Sequence, residues 1–251
     1  MLIVEKEVKK QMSLGIVLSY LVIVVQFIAG LVYTPIVLKT LGQSQYGIYS
    51  LCTSFMGYLT LMNSGANAAY IRYYVQTKVK EPEHIPGLNG IFLKIFTVLS
   101  IIALIGGLVI GAFSPQIFGD KISIAEYTTV KNCFTFLSFN SAVQVLNCVF
   151  SSLIIANERF IFGKTVNLLV SILNPVLTTP FLLAGYSCEV IIQVHLLTMI
   201  VTLIFNATYC FTKLQTQFSL KYKDKLLLRS IAQFAGFIVL QSIMDQVNWQ
   251  I

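Results

Sequence analysis

Apolar residues fall into long blocks along this chain, and short polar segments separate the blocks. A helix needs about 20 residues to cross a bilayer, so the blocks predict six transmembrane helices, at residues 14–38, 47–71, 91–113, 133–155, 162–183 and 190–211. A seventh block begins at Ile231. Because most connections are short, consecutive helices must be antiparallel neighbours. We therefore predict an all-α, polytopic bundle of membrane helices.

Uncharged polar residues recur within these blocks at steps of three and four, which places them on one face of each helix. The fourth block is the clearest case, with Asn140, Gln144, Asn147 and Ser151. Such faces either allow membrane helices to pack and hydrogen-bond or line a hydrated cavity whose donors and acceptors suit sugar hydroxyls. Long amide side chains occur in nearly every block, which favours the cavity. The predicted lining residues are Gln26, Thr60, Asn67, Asn140, Gln144, Asn147, Asn167 and Asn174.

The composition is that of a membrane protein. Of the 251 residues, 56% are hydrophobic and 11% are charged, and the mean hydropathy is +0.79, whereas soluble domains contain about 25% charged residues. The five cysteines are scattered, odd in number and without the spacing of metal ligands. We interpret them as free thiols that act as small apolar side chains. The sequence predicts no metal site and no cofactor.

The cations alternate between the two sides of the predicted helices. Of the 17 Lys and Arg residues, all but Lys39, Lys121 and Lys131 fall on the side of the N-terminus. Lys and Arg are retained on the cytoplasmic side during insertion, so we predict a cytoplasmic N-terminus. The net charge of +7 is therefore a signal of membrane orientation, and no extended basic surface indicates nucleic acid binding.

Two titratable side chains inside the predicted helices are candidates for ion coupling. Asp245 is the only charged residue deep within an apolar block, and an intramembrane carboxylate favours a functional role, so Asp245 is a candidate for proton or sodium coupling. His195 could relay protons. A single His near a helix start is more often a hydrogen-bonded packing residue, and we prefer that interpretation.

Six predicted helices followed by a seventh block from the same side are typical of half a two-lobed transporter, since parallel repeats are a known transporter plan. On this interpretation residues 1–230 form an N-terminal six-helix lobe, and residues 231–251 are a truncated seventh helix that opens the second lobe. The alternative is a complete seven-helix protein.

Four short strings carry a resemblance to a known family. They are LGQSQYGIYS at 41–50, IRY at 71–73, NERF at 157–160 and DQVNWQ at 245–250. In this order and spacing they resemble the oligosaccharide flippases of polysaccharide and O-antigen biosynthesis. These flippases belong to the multidrug/oligosaccharidyl-lipid/polysaccharide exporter superfamily.

The resemblance implies two six-helix lobes in the bacterial cytoplasmic (inner) membrane and a substrate of sugar repeats linked to undecaprenyl diphosphate. It also implies that the partners are this lipid-linked oligosaccharide, membrane lipids and other polysaccharide assembly proteins. Family members are about twice this length, so this chain departs from the pattern by lacking the second lobe.

A lipid diphosphate must be captured by cations near the cytoplasmic surface, because Arg can hold phosphate through paired donors and Lys as a point charge. The predicted diphosphate-binding residues are Arg72, Lys94, Arg159 and Lys164. Arg72 is the first candidate, since it directly follows the polar face of the second block. Topology signals and snorkelling to headgroups are the alternative explanation for these cations.

Two other functions compete with a flippase. A multidrug/cation antiporter of the same superfamily should place acidic residues in its cavity, and the first six blocks contain none. A membrane glycosyltransferase or polymerase needs catalytic acids or a metal motif, and the longest outer segment, 114–132, holds only Asp120 and Glu126. We therefore predict a transporter and not an enzyme.

Overall fold

The structure is a computed structural model, and it describes residues 2–114, 116, 124–221 and 225–250. Within these ranges the side chains of 2–9, 55–62, 124–126, 225–226, 239, 242–243 and 245–250 lie outside the description. The helices are α1 (Leu2–Lys80), a short 3₁₀ helix (Pro82–His84), α2 (Ile85–Ala112), α3 (Ile124–Ala156), α4 (Phe160–Leu183), α5 (Glu189–Thr212) and α6 (Lys225–Gln250). The described residues contain no strand, which confirms the all-α fold class.

Helix α1 contains the first two predicted membrane helices and is broken at Gly42. This residue has φ 71° and ψ 176°, a conformation that glycine adopts without the steric penalty other residues meet. The break divides α1 into a first arm, up to residue 41, and a second arm, from residue 43. The sequence indicated a separation here through the polar segment 39–46.

The two arms of α1 are antiparallel, as their contacts at opposite ends of the bundle show. The side chain of Gln11, in the first arm, accepts a hydrogen bond of 3.2 Å from the Ile161 amide. Lys78, in the second arm, donates one of 3.0 Å to Asn157 in the α3–α4 connection, close in sequence to Ile161. We call this the lower end of the bundle. At the opposite, upper end, near the Gly42 break, Gln45 accepts a hydrogen bond from the Cys188 amide at 3.3 Å.

Two apolar clusters hold the helices together, one towards each end. The lower cluster joins the second arm of α1 to α2, α3 and α5, and in it the Tyr70 ring stacks on Phe92 at 4.3 Å. Such pairs contribute about 0.5–1.5 kcal/mol beyond the buried area. The Tyr70 hydroxyl donates to Asn89 at 2.9 Å, so its polar group is satisfied. The upper cluster joins both arms of α1 to α3, α4 and α5, and includes Val37 and Cys52.

Glycines allow α2 to approach its neighbours closely. A Cβ at Gly107 would lie 2.9 Å from the Ser138 Cβ on α3, a distance that side chains do not tolerate. A Cβ at Gly90 would overlap the Ser219 carbonyl in the segment after α5. By contrast, nothing lies within 4 Å of a Cβ at Gly106. The contact between α2 and α3 therefore depends on Gly107 and not on its neighbour.

Five helical stretches of the described residues are long and apolar enough to cross a membrane, namely Lys10–Ser54, Pro82–Ala112, Tyr127–Ala156, Phe160–Leu183 and Glu189–Thr212. The first includes the whole first predicted helix and the start of the second. The later four contain the predicted blocks almost entirely, but the second and third of the five stretches begin nine and six residues earlier than predicted. Helix α6 begins at Lys225, so the predicted division between residues 230 and 231 falls inside this helix.

Candidate functional site

The polar faces of α3, α4 and α5 meet in the interior of the bundle, and we call this region the polar seam. On α3 it contains the predicted stripe of Asn140, Gln144, Asn147 and Ser151. Two cavities lie along it, the upper cavity and the lower cavity, named for the nearer end of the bundle. Gln144 lines both. The predicted stripe on α3 therefore lies on an internal surface of the bundle.

The upper cavity has a volume of about 320 Å³, and its described lining contains no Lys, Arg, Asp or Glu. Asn140 and the His195 Nδ1 are 3.0 Å apart, within hydrogen-bonding distance. Thr198 donates to Asn174 at 2.7 Å, beside the cavity. These contacts satisfy polar groups that would cost free energy if they were left without hydrogen bonds inside a membrane. The polar lining residues are Tyr33, Tyr49, Thr53, Asn140, Gln144, Asn174, Thr178 and His195.

The lower cavity has a volume of about 340 Å³ and combines cations with amides. Its polar lining residues are Gln144, Asn147, Ser151, Arg159, Lys164, Asn167, Thr202 and Asn206. Arg159 is the N-cap residue of α4, and Lys164 lies on the first turns of that helix. The positive end of the helix dipole adds to these two charges. Neither cavity has an Asp or Glu among its described lining residues.

Asn206, which lines the lower cavity, has a buried acceptor without a partner among the described residues. The amide nitrogen of Asn206 donates to Asn147 at 2.8 Å, while the Asn206 Oδ1 has no hydrogen-bond partner among the described residues. Asn206 is only 5% exposed. An unsatisfied buried acceptor costs about 1–3 kcal/mol, so a ligand that supplies a hydroxyl or an N–H here would recover part of that energy.

Five of the eight predicted lining residues lie on the two cavities: Asn140, Gln144, Asn147, Asn167 and Asn174. Gln26 instead donates to Ser171 on α4 at 3.1 Å. Asn67 accepts a hydrogen bond from Ser152, which joins the second arm of α1 to α3. These two residues therefore serve helix packing in this structure. The side chains of Thr60 and of Asp245, the coupling candidate, lie outside the described residues.

The four predicted diphosphate-binding cations are divided between two places. Arg159 and Lys164 line the lower cavity. Arg72 is exposed, and its guanidinium carbon lies 4.4 Å from the centre of the Phe234 ring on α6, a cation–π contact. Lys94 donates to the Leu220 carbonyl at 2.5 Å and so fixes the segment after α5. The structure thus joins Arg159 and Lys164 to the polar seam and places Arg72 and Lys94 elsewhere.

Several cavity residues were not among the sequence candidates. Tyr33 and Tyr49 line the upper cavity, but aromatic residues inside apolar blocks give no sign of facing a cavity. Asn206 and Thr202 were not among the predicted lining residues, although the spacing of the sixth block places them on one helical face with His195 and Thr198. Their importance depends on contact with Asn147, which is distant in sequence.

Comparisons with known proteins identify the fold. No protein-family model matches the chain, and no curated protein sequence matches it. Among solved structures, an outward-facing multidrug resistance MATE family transporter of the MOP superfamily has a TM-score of 0.78 and 17% identity, covering 95% of this chain and 53% of that one. A MATE mutant has a TM-score of 0.73 and 17% identity, with coverages of 91% and 53%.

A third solved structure is a MOP superfamily transporter from Pyrococcus furiosus, described as having a binding pocket of reverse polarity that suggests a different function. Its TM-score is 0.64 at 15% identity, and the match covers 91% of this chain and 52% of that chain. The chain therefore has the fold of a MATE-like lobe and spans about half the length of these transporters.

Proposed function

We propose that this chain is the first lobe of a flippase that moves an oligosaccharide linked to undecaprenyl diphosphate across the bacterial cytoplasmic membrane. In this proposal the N-terminus and the lower end of the bundle are cytoplasmic, as the distribution of cations favours. The fold shared with half of several transporters supports transport. The strings at 41–50, 71–73, 157–160 and 245–250 favour the flippase branch. Transport itself is proposed for the whole, two-lobed protein.

The observation that carries the proposal is the composition of the lower cavity. Arg159 and Lys164 supply two positive charges beside Asn147, Asn167 and Asn206. A diphosphate needs cations, and the sugar attached to it needs neutral donors and acceptors. Both requirements are met within one cavity at the proposed cytoplasmic end.

The size of the cavity limits what it can hold. Ligand pockets range from about 300 to 1,000 Å³, so 340 Å³ suits a small headgroup and not a whole oligosaccharide. We assign the diphosphate to Arg159, which offers paired donors, and to Lys164, which acts as a point charge. The first sugar would then lie towards Asn147 and the unpaired Asn206 acceptor.

The upper cavity offers hydroxyl and amide groups like those of the lower cavity, but no Lys or Arg among its described lining residues. Its hydroxyls and amides suit sugar hydroxyl groups, and its boundary with the lower cavity is Gln144. In the transport cycle we propose, sugars contact this neutral lining after the diphosphate has been captured below. Ion coupling is proposed for Asp245, as an intramembrane carboxylate.

A multidrug/cation antiporter is the second candidate, because the solved structures with this fold include multidrug resistance transporters. A cationic drug would be repelled by Arg159 and Lys164 and would find no carboxylate among the described lining residues. The Pyrococcus furiosus transporter is a precedent for a pocket of altered polarity within this fold. The charge of the lower cavity thus favours an anionic headgroup.

The test is complementation of a flippase-deficient bacterial strain with the whole transporter. The variant Arg159→Ala/Lys164→Ala removes both cavity cations. The matched control, Lys213→Ala/Arg229→Ala, removes two exposed cations from the same side and so causes an equal loss of topology-determining charge. At matched membrane levels we expect surface polysaccharide to fall at least tenfold with the cavity variant and to persist with the control.

The same strains, made deficient in drug efflux, test the second candidate. We expect the wild-type transporter to leave resistance to cationic drugs unchanged. Drug resistance conferred by the transporter, together with normal polysaccharide from the cavity variant, would refute the flippase proposal.

A further inference from the structure

Three of the five cysteines come together at the upper end of the bundle. Cys52 lies on the second arm of α1, Cys133 on α3, and Cys188 is the N-cap residue of α5. All three are fully buried in the upper apolar cluster. The other two, Cys148 and Cys210, belong to the lower part of the bundle, where the Cys210 thiol contacts the Phe150 carbonyl. The cysteines therefore form two separate groups, three at the upper end and two in the lower part of the bundle.

The closest pair is Cys133 and Cys188, whose sulfur atoms are 3.8 Å apart. A disulfide requires about 2.05 Å, so the two sulfurs are in van der Waals contact and need a small further approach. Cys188 can supply it, because it follows the turn between α4 and α5 and precedes the first turn of α5. The Cys52 thiol lies beside the same pair, but on a continuous helix that is less free to adjust.

The position of the pair relates it to a cellular compartment. Two polar contacts lie next to it: Asn132 donates to Glu189 at 3.3 Å, and Gln45 accepts from the Cys188 amide. Such contacts are typical of the membrane surface, and the orientation proposed above puts this end outside the cytoplasmic membrane. Disulfides form and persist in that oxidising compartment and are rare in the cytosol.

We propose that Cys133 and Cys188 form an intramolecular disulfide on the outer side of the membrane, which joins the start of α5 to α3. A thiolate of one cysteine attacks a disulfide of a periplasmic dithiol oxidase to give a mixed disulfide, and the second thiolate displaces the oxidase. The two thiols lose two protons and two electrons in total, and the oxidase disulfide is reduced to two thiols. The reaction takes place on the newly inserted chain, before packing buries the sulfurs.

The bond would fix one wall of the upper cavity. Leu137 follows Cys133 by one helical turn, Ile191 and Ile192 follow Cys188 by about one turn, and all three line that cavity. Cross-linking the helices at this level holds the apolar wall in place while the polar seam below it binds and releases ligand. The disulfide is thus a structural bond of the cavity and not a surface feature.

The test uses the whole transporter from cells with a functional periplasmic oxidation system. Cells are quenched in acid, free thiols are alkylated under denaturing conditions, and the protein is digested without reduction for mass spectrometry. We expect a linked peptide pair containing Cys133 and Cys188, lighter by two hydrogen atoms than the sum of its parts, that disappears on reduction. Cells lacking the dithiol oxidase should lose most of the linked pair.

Single variants identify the partners independently of transport. Cys133→Ala and Cys188→Ala should each abolish the linked pair, and Cys148→Ala, the matched control on α3, should retain it. Complete alkylation of Cys133 and Cys188 in unreduced wild-type protein would overturn the proposal, as would a linked pair between Cys52 and Cys133. Polysaccharide complementation is scored separately. Absence of the disulfide would therefore leave the flippase proposal intact, and failure of the flippase proposal would not remove the disulfide.

Discussion

Replacing Arg159 by Ala should weaken capture of the lipid diphosphate without unfolding the lobe. The structural contribution of this residue is made by its backbone: its amide donates to the Ile154 carbonyl at 3.0 Å, and its carbonyl accepts from the Gly163 amide at 3.3 Å. Its φ of −86° is ordinary for alanine. The substitution therefore removes the guanidinium and keeps the turn between α3 and α4.

The expected size of the effect follows from the contacts that a guanidinium can make. Hydrogen bonds to charged groups contribute about 1.5–3 kcal/mol, so Arg159→Ala should weaken binding roughly ten- to a hundredfold, at about 1.4 kcal/mol for each factor of ten. Arg159→Lys keeps the charge and loses the paired donors, so its affinity should lie between those of the wild type and Arg159→Ala.

The assay is binding of an undecaprenyl-diphosphate-linked sugar to the purified whole transporter in lipid nanodiscs. Arg72→Ala is the matched comparison, because Arg72 is the other arginine proposed from the sequence and its guanidinium packs on Phe234. We expect Arg72→Ala to stay within a few fold of the wild type. Normal affinity in Arg159→Ala combined with a large loss in Arg72→Ala would refute the lower cavity and move the diphosphate to the α1–α6 contact.

Three further predictions concern packing, hydration and orientation. Gly107→Ala should destabilise the lobe by about 1–3 kcal/mol through overpacking against α3, whereas Gly106→Ala should be near neutral. Thermal denaturation in detergent measures both variants, and equal stability of the two would contradict the close contact. Asn147→Cys should react with a water-soluble thiol reagent in the full-length protein, and failure to react would indicate helix packing without a hydrated cavity. Cysteines introduced at Lys80 and Glu189 should be labelled from opposite sides of the membrane, and labelling of position 80 from outside intact cells would reverse the proposed orientation.

The polar faces that form the seam could be predicted from the sequence, because the spacing of residues within each helix determines which of them share a face. Asn140, Gln144 and Asn147 lie on one helix, and their separation alone places them on one face. The same reasoning found Asn167 and Asn174 on α4. The polar face of a helix can be recognised from its own sequence, whichever helix packs against it.

The division of the seam into two cavities could not be predicted in this way. It depends on which helices pack together, and the pairing of Asn147 with Asn206 joins residues on α3 and α5. The sequence favoured Arg72 over Arg159, because Arg72 directly follows the polar face of the second block. Only the packing of α6 places Phe234 over Arg72 and leaves Arg159 on the cavity.

The thiol cluster shows the same limit. Cys52, Cys133 and Cys188 have no motif spacing, because three separate helices bring them together at the upper end. Sequence reasoning found no metal-ligand pattern in their spacing, and it could not show that two of the sulfur atoms are in contact. Long-range contacts of this kind are set by the fold and not by local pattern.

The sharing of Gln144 between the two cavities has an electrical consequence. If the lower cavity opens to the cytoplasm and the upper cavity to the outer side, as the proposed function requires, water in both would narrow the low-dielectric barrier to the layer around this one side chain. The membrane voltage would then fall mainly across that layer and not over the full thickness of the bilayer. A charge that passes Gln144 would experience most of the available work, about 2.3 kcal/mol for each 100 mV, within a displacement of a few ångströms.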